Sequence, residues 1–313
     1  MKSKIDFAVG GQALIEGILM RSPNFNIIAV RDPQGKIIQK SDQYQNITRR
    51  IKLLNIPILR GVINMLEMML IGTKALNFSS LISLSETPQH DEASEQKVSF
   101  LGNLSVLFSL AFGLGLAILL FKFVPLWITD TLSHQWKVID QNYLIYNLLD
   151  GVIKTILFVA YIALMSQLPD IKRVFRYHGA EHKSIMTYEK GLELTVENAR
   201  SQTRFHPRCG TSFILIVFLI SIFVFTLIPR NPDFLINFGL RLSLLPLIAG
   251  ISYEFLKMSA RFQDNFLLSC VSAPGLLMQR LTTQEPDDQM LEVALTSLKT
   301  ALSKESELNI DPL

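Results

Sequence analysis

Long, nearly uncharged runs of apolar residues dominate this chain and restrict what it can become. A bilayer core about 30 Å thick is crossed by about 20 apolar residues in a helix. Four segments reach that length: Leu104 to Ile128, Leu144 to Leu168, Phe213 to Pro229 and Phe234 to Phe255. The second holds Asp150 and Lys154 one helical turn apart, where they can pair. The fourth holds Arg241, Pro246 and Glu254, and Arg241, near its outer end, is expected to snorkel. Only 18% of the 313 residues are charged, below the roughly 25% of soluble domains, which argues against a soluble enzyme, and the long apolar blocks exclude a disordered chain. The expected fold is mainly α: a polytopic helical membrane protein with about four transmembrane helices, interfacial helices and a small N-terminal β-hairpin.

The basic residues orient these spans. Lys137 follows the first and Arg230 the third, whereas the connection after the second, residues 169–211, holds Lys172, Arg173, Arg176, Lys183, Lys190, Arg200, Arg204 and Arg208. That bias sets this connection and both termini on the cytoplasmic side. Leu53 to Gly72 is apolar but contains Arg60, Asn64 and Glu67. A crossing there would place the basic residues from Lys2 to Lys52 opposite the basic connection, so it reads as an interfacial or re-entrant helix. Phe266 to Met278 is too short to span and contains Pro274-Gly275, so it lies at the interface or folds back.

Asn26 to Lys40 reads as a hairpin turning at Asp32-Pro33-Gln34-Gly35. Glu86 to Lys97 is an acidic loop, and the apolar spacing after Pro286 predicts a terminal amphipathic helix. The expected organisation is an N-terminal segment at the cytoplasmic face (1–100), a four-helix membrane domain (101–260) and a C-terminal interfacial segment with that helix (261–313). No internal repeat is evident. Gln12 and Glu16 interrupt the opening apolar run without a cleavage site after it, so it reads as mature protein. A net charge of +3 is too mild for nucleic-acid binding, leaving the lipid bilayer as the expected partner and a protein partner or homo-oligomer open. Two cysteines, Cys209 and Cys270, make no disulfide framework.

Chemistry concentrates in the basic connection. His178-Gly179-Ala180-Glu181-His182 has the form H-x-x-E-H, which on a helix places both imidazoles on one face beside the carboxylate. Two neutral imidazoles bind Zn²⁺, and a carboxylate that is not a ligand takes a proton from the water the metal activates. The bland alternative is an amphipathic helix with its titratable residues facing water. A second cluster, Arg204 to Ser212, places His206 and Cys209 three apart, and either can complete a tetrahedral site. Four protein ligands would be structural and three catalytic. The bland alternative is a helix start capped by Thr211 or Ser212, with Cys209 simply buried. A different chemistry uses the same atoms: Cys209 before a helix N-terminus, with His206 or His178 as base, would make a thiol-dependent acyl-transfer or hydrolase site. The glycine-rich Gly10 to Arg21 is neither a dinucleotide fingerprint nor a phosphate loop. Its glycines allow close backbone approach, and Glu16 and Glu254 are candidate further ligands or orienting groups.

The blocks GGQALIEGILMRSP, YHGAEHK, HPRCGTSF, ISYEF and PGLLMQRLTTQEP resemble those of the YqhQ-like family of bacterial and chloroplast-type membrane proteins, a domain of unknown function labelled as metal-dependent enzymes. The resemblance implies a polytopic protein of a bacterial inner membrane or plastid membrane type, with a metal site. It supplies neither substrate nor reaction. The function expected is an integral membrane metalloenzyme, a zinc-dependent hydrolase, with His178 and His182 as ligands, Glu181 as general base, and His206 or Cys209 completing a divalent-metal site. A transporter is disfavoured, because the ionisable residues gather at one face and not at the midplane. The alternatives are the thiol mechanism and a non-enzymatic membrane scaffold or assembly factor with a structural metal or lipid-binding surface.

Overall fold

The computed structural model describes residues 9–84, 108, 111–207, 209–229, 231, 233–261 and 266–308. The acidic loop expected at Glu86 to Lys97, and the start of the first expected span, lie outside them. Two compact units emerge: Met1–Glu86, Ile162–Ile216 and Ala249–Leu313 form one, and Thr87–Tyr161 with Val217–Ile248 the other.

The first unit is built on an antiparallel sheet of β1 (Gly10–Leu14), β2 (Gly17–Arg21), β3 (Phe25–Arg31) and β4 (Ile37–Gln43), paired in that order. The expected hairpin is thus β3 and β4, extended by two strands; Gly35, with φ +86, closes the turn. Side chains alternate across the sheet. Ile18, Met20, Ile27 and Ala29 face one way, into a core with Tyr177, Ala180, Leu291, Ala294 and Leu298. Leu14, Leu19, Ile28 and Val30 face the other way, against Ile71, Ala75 and Phe78. Because both faces are covered, β2 is apolar from Gly17 to Met20. Each fully buried Ile, Leu or Met there contributes about 2 kcal/mol.

The covering helices are α1 (Leu59–Leu84) on one side, and α4 (Pro169–Glu189) with α9 (Asp288–Glu307) on the other, the last being the amphipathic C-terminal helix. The helix α1 keeps Leu66, Met69, Leu70, Leu76 and Leu81 exposed. In chain order between them run α2 (Ala111–Gln135) and α3 (Tyr143–Met165), and after α4 come α5 (Gly210–Thr226), α6 (Phe234–Ser243), α7 (Leu245–Arg261) and α8 (Phe266–Thr282).

Among the described residues two helices, α2 and α3, are long and apolar enough to cross a membrane, or three crossings if the bent pair α6–α7 counts as one, and the expected four are not evident among them. The apolar part of α5, Phe213–Thr226, falls short of the roughly 20 residues a bilayer needs. The segment expected as one span, Phe234 to Phe255, is interrupted between α6 and α7 by a 40° bend. Pro246, which lacks an N–H and crowds the preceding turn, accounts for the break.

Inside the second unit, Asp150 accepts from Lys154 at 3.3 Å and from Arg241 at 2.6 Å, and all three side chains are buried. Arg241 also bonds Asn147, whose amide donates to the Phe225 carbonyl at 2.7 Å. Arg241 therefore does not snorkel as the sequence suggests. In apolar surroundings a guanidinium held by a carboxylate is far cheaper than an unpaired one.

Candidate metal centre

The motif helix is α4, opened by Pro169 in its first turn and burying Gly179 to His182 of the HGAEH motif. His178, His182 and Cys209 each offer one ligand atom, and these atoms lie within 4.8 Å of one another. His178 Nε2 is 3.2 Å from Cys209 Sγ. Tetrahedral bonds of 2.0 to 2.3 Å put ligand atoms about 3.5 Å apart, so an ion is accommodated with small side-chain adjustments.

Both imidazoles are oriented by backbone. His178 Nδ1–H donates to the Thr282 carbonyl at 2.8 Å, and His182 Nδ1–H to the Arg204 carbonyl at 2.6 Å. A carbonyl only accepts, so each Nε2 is left as the basic nitrogen. Burial, and then the neighbouring His178 and His206, hold the His182 imidazole well below its ordinary range, and hence neutral. Cys209 stands at the N-terminus of α5, where the Thr211 N–H and hydroxyl lie 3.4 and 3.1 Å from its sulfur. Helix N-terminal donors favour thiolate. Two neutral imidazoles and a thiolate suit zinc, whereas hard cations take oxygen.

Why these elements meet is a matter of glycines. A Cβ on Gly179 would stand 2.0 Å from the Gln284 carbonyl oxygen. Its absence lets the chain leaving α8 cross α4 in contact, with Gln284 N–H bonded to the Phe175 carbonyl at 2.9 Å, and this crossing delivers the Thr282 carbonyl to His178. Likewise a Cβ on Gly11 would meet Glu181 Cδ at 2.9 Å, so the glycine-rich strand does approach another element closely. Burial raises the Glu181 pKa, against the opposing pulls of His178 and the Gly11 N–H.

Glu181, His178, His182, His206 and Cys209 line one cavity of about 460 Å³, completed by Val9 to Ala13 of the β1 segment, Met68, Val174, Phe175, Ile185, Gly210 and Thr211. His206 belongs to it without joining the ligand trio. Its Nε2 lies 3.2 Å from Glu189, and Gln279 clamps its backbone at 2.8 Å on both N–H and C=O. Burial pushes its imidazole down to about 4. Two other candidates are placed elsewhere. Glu16, in the β1–β2 turn, pairs with Arg173 at 2.6 Å and accepts from Tyr177 at 3.3 Å, and Glu254 pairs with Arg60 at 2.6 Å. Each carboxylate is taken up by a guanidinium.

Sequence reasoning overlooked Glu189, Gln279 and the two orienting carbonyls. Backbone acceptors carry no residue signature. Much of the basic connection also serves the fold internally. Lys183 pairs with Glu285 at 2.7 Å, Arg176 with Asp287 at 3.0 Å, and Arg200 with Asp288. These pairs hold the 285–288 turn that opens α9 against α4.

No solved structure matches this chain. Over its full length it is similar to the "Uncharacterized protein YqhQ" of Bacillus subtilis (strain 168), at 38% identity covering 99% of this chain and 98% of that one. Residues 56–304, which hold α4, the His206–Cys209 loop and the crossing at Gln284, match the family described as "Protein of unknown function (DUF1385)". The chain belongs to that family and is YqhQ-like.

Proposed function

We propose that this protein is a membrane-associated zinc-dependent hydrolase whose centre is held by His178, His182 and Cys209. The observation that carries this reading is the trio itself: three zinc-type donors within 4.8 Å, both imidazoles tautomerically set, facing a cavity that also holds a buried carboxyl. Three protein ligands leave one position open, the pattern of catalytic sites. A divalent ion there acts as a Lewis acid and lowers the pKa of a coordinated water to about 7. Glu181, packed against Gly11 and without a place in the trio, is the general base. The ion's positive charge would oppose the burial that raises this carboxyl's pKa. The charge asymmetry of the connections supports a site on the cytoplasmic membrane face, and the exposed leucines and methionines of α1 support an interfacial role for that helix.

Metal analysis of the purified protein tests the reading. We expect one zinc per chain, lost in a His178→Ala, His182→Ala double variant and retained in Glu181→Gln. Unchanged metal content in the double variant would end it.

A second reading has one observation in its favour, the 3.2 Å contact between His178 Nε2 and Cys209 Sγ: a thiolate–imidazole pair performing acyl transfer. Under it, iodoacetamide alkylates Cys209 rapidly and added zinc gives no protection. The zinc reading predicts protection.

A further inference from the structure

β1 is an edge strand, and its outer side, lined by Val9 to Ala13, is a wall of the metal-site cavity. Leu14 and Gly17 pair across the two-residue turn, so by alternation Gly11 and Ala13 turn their N–H and C=O groups away from β2. Among the described residues nothing takes up the outward C=O of Gly11 or the N–H and C=O of Ala13.

Native edges are normally blunted with charge, proline or a bulge. The opposite edge, β4, follows that rule, with Lys40 and Asp42 in its sequence. β1 does not: GGQAL has no charge, no proline and an unbroken register, and Gly10 stands with nothing within 4 Å of its Cβ position. Among the described residues this edge carries none of these protections, and it lies beside three metal donors and a carboxyl. Met68, Val174, Phe175 and Ile185 add apolar walls.

Resting on the hydrolase reading, we infer that the substrate is an extended polypeptide that adds to β1 as a further strand and is cleaved beside Glu181. Main-chain pairing gives binding, and alternate side chains enter the apolar walls. An acyl ester has no matching row of N–H and C=O groups to offer. In the reaction, water oxygen bonds to the carbonyl carbon and the C–N bond breaks. Glu181 takes one proton of the water and passes it to the departing nitrogen, leaving a carboxylic acid and an amine, and transfer of the remaining proton between these products gives carboxylate and ammonium.

The test uses the full chain in detergent micelles, loaded with zinc, against end-blocked octapeptides, with cleavage read by mass spectrometry. The best substrate is then N-methylated one position at a time. Expected is a roughly tenfold or larger fall in kcat/KM at positions two apart, those facing β1, with the intervening ones little changed. A pattern without period two overturns the inference. So does Glu181-dependent hydrolysis of acyl- or phosphoester probes without peptide cleavage, which leaves the hydrolase reading standing. Absence of Glu181-dependent hydrolysis of every probe overturns both.

Discussion

Gly179→Ala sets two effects of opposite sign against each other. In an isolated helix alanine is favoured over glycine by about 1 kcal/mol, so a motif that was merely a water-facing helix would be stabilised. In this fold the new Cβ would stand 2.0 Å from the Gln284 carbonyl oxygen, more than an ångström inside any tolerated contact. The neighbour is backbone and cannot rotate away. The 283–286 segment must lift from α4, weakening the Gln284–Phe175 hydrogen bond, worth about 1 kcal/mol, and adding an overpacking strain of about 1 to 3 kcal/mol. The net expectation is a loss of about 1 to 3 kcal/mol, measured by denaturant unfolding of the metal-free protein in detergent. Lifting that segment also draws the Thr282 carbonyl from His178, and removal of such an orienting partner weakens metal binding by roughly 10- to 100-fold. Competitive zinc titration reads this second effect. A Gly179→Ala protein that is more stable, with unchanged zinc affinity, would refute the reasoning.

Three further outcomes follow from particular side chains. Gly11→Ala places a methyl 2.9 Å from Glu181 Cδ and 2.8 Å from the Leu19 carbonyl. We expect catalysis, read as kcat on a cleaved probe, to fall more than zinc affinity. For pH dependence the signs are opposite at two residues. His182 has a depressed folded pKa, so metal-free stability falls as pH drops below about 6.5. Glu181 has a raised one, so stability falls as pH rises above about 4.5, its ordinary value. Hence the melting temperature of Glu181→Gln should gain on the wild type from pH 5 to pH 8; a constant difference across that range would contradict the buried carboxyl. In the membrane-type unit, Arg241→Leu leaves Asp150 with Lys154 alone, and we expect a loss of about 3 kcal/mol in detergent unfolding. Combining Asp150→Asn with Arg241→Leu should recover part of it.

Local chemistry was readable in the sequence where side chains carry it. The HGAEH spacing implies one helix face, and α4 presents it so; Cys209 before an apolar run implies a helix N-terminus, and α5 begins there. The β3–β4 hairpin was visible through Asp32-Pro33-Gln34-Gly35. β1 and β2 were not, for two physical reasons. Burial on both faces removes the alternation that marks a strand, and the β1–β2 turn is closed by Glu16 at φ 52, where a glycine or asparagine would ordinarily advertise it. Apolar length alone overstated the spans. It did not register that Pro246 breaks one segment, nor that α5 keeps too short an apolar run. Arg241 was misread because its carboxylate partner lies in another helix, 91 positions away in the chain. The orienting carbonyls of Thr282 and Arg204 were beyond reach of any residue-type argument, since every residue has a carbonyl.

X-ray absorption at the zinc edge of the purified, detergent-solubilised chain tests the central claim most directly. The account predicts one sulfur near 2.3 Å together with imidazole nitrogens near 2.0 to 2.1 Å, with the sulfur lost in Cys209→Ser. A shell of oxygen and nitrogen alone, or a sulfur that persists in that variant, would contradict it.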